Sequence, residues 1–294
     1  MSGLRVISSG VLMQLQDRGR FGYGDIGVTQ SGVADRYSAS WANRLLFNHP
    51  NDTLIEILLG GVKLICEVDT YISLTGAQSS LQINGTPQPL WRVHHISRGD
   101  TMEIGMAREG LRIYLATKGG FESKSELGSS ATTLKEGFGH QISSGEILIC
   151  QSHTSSPLAS TPQSQIPIYA DSMTLRVLLG YQSDMFELAQ REIFFSTIYR
   201  VTQATDRMGC RLEGTPIAYS GEELISEPIA YGSIQIPTDG QPIILLNERQ
   251  TIGGYPKIGS LIPQDCYKLA QARPNTQIRF REVGLEEAIA LSRL

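Results

Sequence analysis

Short apolar runs separated by glycine, proline and polar turn residues recur along most of the chain. Runs of strand length, rich in β-branched and aliphatic residues, lie at 54–58, 62–66, 71–74, 81–83, 102–104 and 111–116. The dipeptide Asn84-Gly85 directly follows the fourth run and is a strong signal for a hairpin turn. Closely spaced short strands of this kind predict a barrel or a sandwich and not alternating βαβ units.

Helical periodicity is limited to three stretches, at residues 35–46, 182–191 and 284–291. In the first of them, Tyr37, Trp41 and Leu45 are spaced so that they share one face of a helix. The third is rich in Glu, Ala and Leu, which favour helix. We therefore predict a mainly β protein with a few short helices.

A tract rich in Ser, Thr, Pro and Gln at residues 151–166 has no hydrophobic period and is typical of a linker. It separates two halves of nearly equal length, 1–150 and 167–294, which we predict to be separate domains. The tract itself is predicted to lack regular structure.

Composition and charge narrow the classes of function. Of the 294 residues 40% are hydrophobic and 18% are charged, which is enough apolar material for a substantial core. The net charge of −4 and the absence of dense Lys/Arg runs argue against a nucleic-acid partner. No apolar run approaches the ~18 residues that cross a bilayer, and the first residues do not resemble a signal peptide. We predict a cytoplasmic protein without a membrane partner, whose four widely spaced cysteines are buried thiols.

Three glycine-rich polar segments are candidates for chemistry. Residues 17–35 contain five glycines before a predicted helix, a pattern that suits either an anion site or a series of tight turns capped by Asp35. Residues 206–214 contain two arginines and two acids, which form either surface ion pairs or an arginine fork for a carboxylate or phosphate. Residues 247–258 follow the apolar run 243–246, and a strand that ends in so many polar groups favours a functional loop.

Several familiar signatures are missing from the sequence. It contains no phosphate-binding Gly-x-x-x-x-Gly-Lys-Ser/Thr motif, no Gly-x-Ser-x-Gly elbow and no Met-Lys dipeptide for covalent biotin. The adjacent His94 and His95 would face opposite sides of a strand, so we predict no metal site.

Taken together, these segments resemble the family that contains the C subunit of 5-oxoprolinase, KipA, allophanate hydrolase subunit 2 and the carboxyltransferase domain of urea amidolyases. The matching phrases lie in the family's order at 17–22, 31–35, 43–46, 111–120, 127–129, 206–209 and 249–257. The most specific of them is Gln250-Thr251-Ile252-Gly253-Gly254-Tyr255-Pro256-Lys257. Two departures are Glu248 in place of the family's Asp and fewer glycines and arginines at 134–145.

The resemblance implies two cyclophilin-like β-barrel halves and an enzyme that is active only with partner subunits. It implies the C subunit of an ATP-dependent 5-oxoprolinase, which opens the lactam of 5-oxoproline to L-glutamate. The implied partners are a KipI-like B subunit and a LamB/YcsF-like A subunit, and the implied cofactor is ATP with Mg²⁺, shared with those partners.

The same resemblance and the chemistry of the loops suggest the site residues. We expect catalytic roles for Lys257, Arg249, Asp35 and Gln250. We expect substrate contacts from Arg20, Ser31, Gly32, Asn43, Arg207, Gln235, Thr251, Gly253, Gly254 and Tyr255. Arg207, Arg249 and Lys257 would offset phosphate and carboxylate charge, and Asp17, Asp35 and Asp206 would orient them or hold a divalent cation.

Two other functions remain open at this point. One is the carboxyltransferase subunit of a biotin-dependent urea or amide carboxylase, whose biotin modules would lie on other chains. The other is a non-enzymatic regulator of the KipA type that binds a kinase inhibitor.

Overall fold

The computed structural model describes residues 2–221 and 224–292, and within them twenty strands and four α-helices form. The first ten strands are β1 Gly3–Ser9, β2 Leu12–Gln16, β3 Leu54–Leu58, β4 Val62–Cys66, β5 Thr70–Gln78, β6 Leu81–Ile83, β7 Thr86–Gln88, β8 Val93–Ile96, β9 Thr101–Ile104 and β10 Glu109–Thr117. The others are β11 Ile147–Ile149, β12 Ser172–Leu179, β13 Tyr199–Val201, β14 Gly209–Glu213, β15 Glu227–Pro228, β16 Ser233–Gln235, β17 Ile243–Leu245, β18 Ile252–Gly253, β19 Lys257–Leu261 and β20 Gln277–Glu282. The helices are α1 Arg36–Leu45, α2 Leu188–Ser196, α3 Pro263–Leu269 and α4 Leu285–Ser292.

The chain divides into two units. The first unit comprises the residues up to Arg20 together with 31–169, and the second comprises 21–30 and the residues from Ala170 onward. The predicted linker, 151–166, lies within the first unit, where Ser160 forms a β-bridge with Arg92.

The first unit consists of two sheets, ordered β11-β1-β4-β9-β6-β7 and β2-β3-β10-β5-β8. The alternation of residues along β10 explains why its segment 113–116 is apolar without interruption. Ile113 and Leu115 belong to the main core of the unit, whereas Tyr114 and Ala116 face the opposite way and pack with α1. Both faces of this strand are therefore buried.

The second unit is a closed barrel, ordered β12-β19-β16-β17-β14-β13-β20. Its core contains Leu175, Val177, Ile234, Ile244 and Phe280 among other apolar side chains. The mainly β fold with few helices is thus confirmed, and so is the barrel in the second half. In the first half the strands pair as two sheets and not as one closed ring.

Local structure was predicted correctly where the residue types themselves favour one backbone conformation. The β6–β7 turn has positive φ at Asn84 (51°) and Gly85 (75°), the conformation that the Asn-Gly pair favours. On β8, His94 is buried and His95 is exposed, as the strand period requires. The helix predicted at 182–191 begins later, at Leu188, because residues 183–185 form a 3₁₀ turn. None of the helices in the described ranges is long and apolar enough to cross a membrane.

The four cysteines are free and buried, which confirms the prediction of isolated thiols. Burial raises the pKa of Cys66 to about 12, that of Cys150 to about 11 and that of Cys266 to about 12. Because the thiolate is the reactive form, we expect no thiol to react with Ellman's reagent at pH 8 in the time that all four react in denaturant. Rapid modification of the native protein would contradict this burial.

Candidate functional site

A group of polar side chains gathers at the start of β19 in the second unit. Lys257, the first residue of β19, is the register partner of Gln235, the last residue of β16. Paired residues on antiparallel strands direct their side chains to the same face. The Lys257 Nζ forms an ion pair with the carboxylate of Glu227 on β15. We call Tyr181, Gln182, Glu227, Gln235, Gly253 and Lys257 the Lys257 cluster.

Glu227 receives donors on both of its carboxylate oxygens. Its Oε1 accepts hydrogen bonds from Lys257 Nζ and from Gln182 Nε2, the latter at 2.8 Å, and its Oε2 accepts one from the Tyr181 hydroxyl. The bonds from Lys257 and then Tyr181 lower the pKa of Glu227 below its ordinary value. In turn, the bond to Glu227 raises the pKa of Tyr181. Glu227 is therefore anionic at neutral pH and balances the charge of Lys257.

Gln182 links the Glu227 carboxylate to strand β19 of the barrel. Its Oε1 accepts the backbone N–H of Lys257 at 2.8 Å, and its Nε2 also lies 3.0 Å from the Tyr181 hydroxyl. Because Gln182 is buried, its amide has one fixed set of partners. The position of Glu227 relative to Lys257 is thus set by a third side chain.

Gln235 has an unusual environment for a buried amide. It is only 6% exposed, and its Nε2 has no hydrogen-bond partner among residues 2–221 and 224–292. A buried donor without an acceptor costs about 1–3 kcal/mol, so a native structure rarely retains one without a reason. This amide is the strongest indication of a ligand in the second unit.

Gly253 places the hairpin of β15 and β18 close to Gln235. Gly253 is the register partner of Glu227. A Cβ placed on Gly253 would lie 2.8 Å from Ile229 Cδ1 and 3.1 Å from Gln235 Nε2. A side chain at position 253 would therefore have to displace the end of the Ile229 side chain and would crowd the Gln235 amide.

Arg207 and Arg249 lie at the other end of β17. The Arg207 Nε lies 2.5 Å from Glu248 Oε1, and Glu248 is three residues beyond the end of β17. Arg249 donates to the carbonyls of Ile229 (3.0 Å) and Leu246 (3.3 Å), and burial lowers its pKa. By contrast, Gln235 is the register partner of Ile243, the first residue of β17. Arg249 therefore contacts the chain two residues beyond Glu227, whereas Arg207 pairs with Glu248.

The remaining predicted residues of this hairpin are mostly accessible. Gln250 and Tyr255 are exposed. The carbonyl of Thr251 accepts the backbone N–H of Ile229 at 3.0 Å. A Cβ on Gly254 would lie 2.9 Å from the carbonyl oxygen of Leu224. These residues shape the hairpin around the Lys257 cluster.

In the first unit, the predicted polar residues hold loops together. Asp35 caps α1, with its carboxylate accepting from Ser38 N (3.1 Å) and Ser38 Oγ (2.6 Å). The Ser31 hydroxyl donates to the carbonyl of Thr132 at 3.0 Å, and the Asn43 side-chain amide donates to the carbonyl of Asp52 at 2.9 Å. Gly32 has a φ of +85°, and a Cβ there would lie 2.7 Å from the backbone of Arg18.

Arg20 is buried in the first unit, stacked over the Phe138 ring. Its guanidinium donates to the carbonyls of Ala131 (2.5 Å) and Glu126 (3.2 Å). It also lines a cavity of about 450 Å³ whose other ionisable side chains belong to Glu122, Lys124, Glu126, His140 and Glu146. The backbone contacts give Arg20 a structural role in addition to any contact with a ligand.

Two of the predicted cation-holding carboxylates are engaged with backbone and hydroxyl donors. Asp17 accepts from Gly19 N (2.8 Å), Ser129 Oγ (2.6 Å) and Ser130 N (2.8 Å). Asp206 accepts from the N–H groups of the two residues that follow Arg207. Both carboxylates stabilise turns.

Sequence reasoning missed Tyr181, Gln182 and Glu227. They lie 76, 75 and 30 positions before Lys257. The pairing of β12 with β19 brings Tyr181 and Gln182 near it, and the pairing of β15 with β18 does so for Glu227. The one local signal was a glutamate directly before Pro228. Such a residue is too common to single out.

Comparisons with known proteins place this chain in a family. The family described as "Carboxyltransferase domain, subdomain A and B" matches residues 26–282. The chain is 31% identical to the C subunit of 5-oxoprolinase from Escherichia coli, over 97% of this chain and 93% of that protein. It is also 31% identical to the corresponding 5-oxoprolinase subunit from Haemophilus influenzae, over 95% of this chain and 91% of that protein.

Solved structures agree with the sequence matches. The crystal structure of the Kluyveromyces lactis urea amidolyase superposes with a TM-score of 0.92 at 25% identity, covering 99% of this chain and 19% of that one. The crystal structure of TTHA0988 superposes with a TM-score of 0.86 at 31% identity, covering 96% of this chain and 56% of that one. This chain therefore corresponds to one part of each of these longer proteins.

Proposed function

Because the chain belongs to the family of carboxyltransferase domains with subdomains A and B, we propose that it is the C subunit of an ATP-dependent 5-oxoprolinase. The observation that carries the proposal is the end-to-end match to the Escherichia coli protein of that name, 97% of this chain against 93% of that one. A urea amidolyase from Saccharomyces cerevisiae is 27% identical, but the match covers only 17% of it. The match to the 5-oxoprolinase subunit thus covers far more of the relative than the match to the urea amidolyase does.

The substrate of this reaction carries a carboxylate and a lactam, and the Lys257 cluster suits both groups. A lysine 12% exposed supplies a cation that is shielded from water, where its attraction for a carboxylate is stronger than at the surface. The buried Gln235 Nε2 supplies an amide donor for a carbonyl oxygen. We assign substrate binding to these two residues, and turn-shaping roles to Thr251, Gly253 and Gly254.

ATP provides the activation in this proposal, since phosphorylation of the lactam oxygen makes the poorly electrophilic carbonyl carbon reactive enough for water to add. The ring C–N bond then breaks, and hydrolysis of the resulting acyl phosphate releases glutamate and phosphate. Arg207 pairs with Glu248, and Lys257 is assigned above to the substrate carboxylate, so both residues already have anionic partners other than a triphosphate. We therefore propose that ATP and Mg²⁺ are held largely by the partner subunits, one KipI-like and the other LamB/YcsF-like.

Reconstitution tests the proposal directly. The purified chain is mixed with the two partner subunits, and the release of ADP and L-glutamate is measured with and without 5-oxoproline. We expect ATP hydrolysis that depends on 5-oxoproline and on this chain, with one glutamate formed per ADP. Failure of the complete three-subunit mixture to hydrolyse ATP in response to 5-oxoproline would refute the proposal and favour a KipA-type regulator.

The close superposition with the Kluyveromyces lactis urea amidolyase favours a second candidate, the carboxyltransferase subunit of a biotin-dependent urea or amide carboxylase. In that case a biotinylated companion chain would accompany this one. Streptavidin blotting of the native complex separates the two functions, because a biotinylated band that co-purifies in stoichiometric amount supports the carboxylase.

A further inference from the structure

Two features of the Lys257 cluster are unexplained by folding alone. Its cation is already neutralised by a carboxylate of the same chain, and its buried Gln235 amide lacks an acceptor among the described residues. The two features lie together, since Gln235 and Lys257 are register partners and Gly253, the partner of Glu227, approaches Gln235 Nε2. Lys257 has an anionic partner that a ligand could replace, and Gln235 Nε2 beside it has a hydrogen bond to offer. The two groups together suit a ligand that carries both a carboxylate and a carbonyl oxygen.

Glu227 is the outer member of the ion pair. Its side chain is 32% exposed, whereas that of Lys257 is 12% exposed. An incoming anion from solvent therefore meets the pair on the glutamate side. The carboxylate can leave without breaking the barrel, because β15 is only two residues long and pairs with β18 outside the closed ring.

If Glu227 moves away, the two other groups that donate hydrogen bonds to it, the Tyr181 hydroxyl and Gln182 Nε2, have other partners. The Tyr181 side chain is largely exposed, so its hydroxyl can bond to water. The Gln182 Nε2 already lies 3.0 Å from that hydroxyl and keeps this bond. The cost of moving Glu227 is thus mostly the loss of its attraction to Lys257, which a ligand carboxylate restores.

We propose that Glu227 is a built-in substitute for the substrate carboxylate. A small carboxylate ligand that also carries an amide or lactam carbonyl displaces Glu227 from Lys257, and its carbonyl oxygen accepts a hydrogen bond from Gln235 Nε2. The choice of a lactam carboxylate rests on the proposed function, whereas the exchange of carboxylates on Lys257 rests only on the cluster. Because Glu227 competes for Lys257, it weakens binding of the carboxylate ligand. A neutral amide has no carboxylate with which to displace Glu227, so it does not pair with Lys257.

Binding to the full chain alone tests this exchange. Ligand-observed NMR titrations compare 5-oxoproline with 2-pyrrolidinone, the same lactam without the carboxylate. Glu227→Gln removes the competing charge at nearly constant shape, so we expect it to tighten 5-oxoproline about tenfold, equivalent to about 1.4 kcal/mol, and to leave 2-pyrrolidinone within about twofold. Gln235→Leu removes the donor and should weaken both ligands about fivefold to tenfold.

The matched control is Glu103→Gln, which removes the carboxylate of the exposed Lys63–Glu103 pair and should change neither affinity. Unchanged or weaker binding of 5-oxoproline to Glu227→Gln would overturn the exchange, as would the absence of measurable binding to both wild type and this variant. Equal tightening of 2-pyrrolidinone would also overturn it, since the effect would then not concern the carboxylate.

The two proposals fail in different ways. A three-subunit mixture without 5-oxoproline-dependent ATP hydrolysis, combined with tighter 5-oxoproline binding to Glu227→Gln, would reject the oxoprolinase function and retain the exchange. Normal turnover combined with unaltered affinity in Glu227→Gln would reject the exchange alone.

Discussion

Replacing Lys257 with methionine is expected to lower kcat/KM for 5-oxoproline in the reconstituted complex by at least about 30-fold. Methionine keeps the aliphatic volume of lysine but removes the cation that we assign to the substrate carboxylate. It also leaves Glu227 without its main partner, and this anion then repels the incoming carboxylate. Truncating one member of a desolvated charge pair typically costs about 2–5 kcal/mol, which corresponds to roughly 30-fold to several thousand-fold in rate.

The fold should survive this substitution, because Lys257 is the first residue of β19 and lies outside the hydrophobic core. Lys63→Met is the matched control, since Lys63 pairs with Glu103 on an exposed face and the same change there should leave kcat/KM within about twofold. Steady-state kinetics and thermal melting of both variants provide the comparison. Full activity of Lys257→Met with an unchanged melting temperature would show that Lys257 does not bind the substrate.

The strands were predictable where composition and turn chemistry act locally. The runs at 54–58, 62–66 and 81–83 coincide with β3, β4 and β6. Each is bounded by residues that favour turns, and Asn84-Gly85 determines where the hairpin reverses. Short amphipathic or fully buried strands need no information from distant residues to be identified.

The helices were less predictable because side-chain contacts outside the helix decide their ends. Glutamine favours helix, yet the side-chain amide of Gln182 bonds to Lys257 and Glu227. The helix begins only at Leu188. The seven-residue helix α3 was not anticipated, because a segment so short shows too little of the helical period. In both places tertiary contacts outweigh local propensity.

The candidate site was only partly predictable for the same reason. The polar density of residues 247–258 pointed to Lys257 and, through the family resemblance, to Gln235 and Gly253. The partner of the lysine was not predictable, since Glu227 has no distinctive neighbours in sequence and reaches Lys257 through the pairing of β15 with β18. Charge partners in a β-fold are fixed by strand register, which a single sequence does not reveal.

The second unit contains a buried ion pair whose loss should have the largest effect on stability. Asp265 is fully buried, and its Oδ2 accepts from the backbone N–H of Arg176 (2.6 Å) and from Arg176 Nε (2.9 Å). Its Oδ1 accepts from Arg176 Nη2 at 2.6 Å, which completes a two-pronged contact between β12 and α3. The arginine side chain is 18% exposed, so water can replace little of what the carboxylate provides.

Asp265→Ala is therefore expected to lower the free energy of unfolding of the second unit by about 3–5 kcal/mol, because it leaves a guanidinium and a backbone N–H without their acceptor. Asp184→Ala is the matched control: its carboxylate pairs with Arg191 but is 88% exposed, so we expect a loss below about 1 kcal/mol. Urea denaturation followed by far-UV circular dichroism measures both changes. A further variant, Arg176→Met combined with Asp265→Leu, removes both charges together and should recover part of the lost stability. Equal and small losses for Asp265→Ala and Asp184→Ala would show that water reaches Arg176 and that the pair contributes no more than one at the surface.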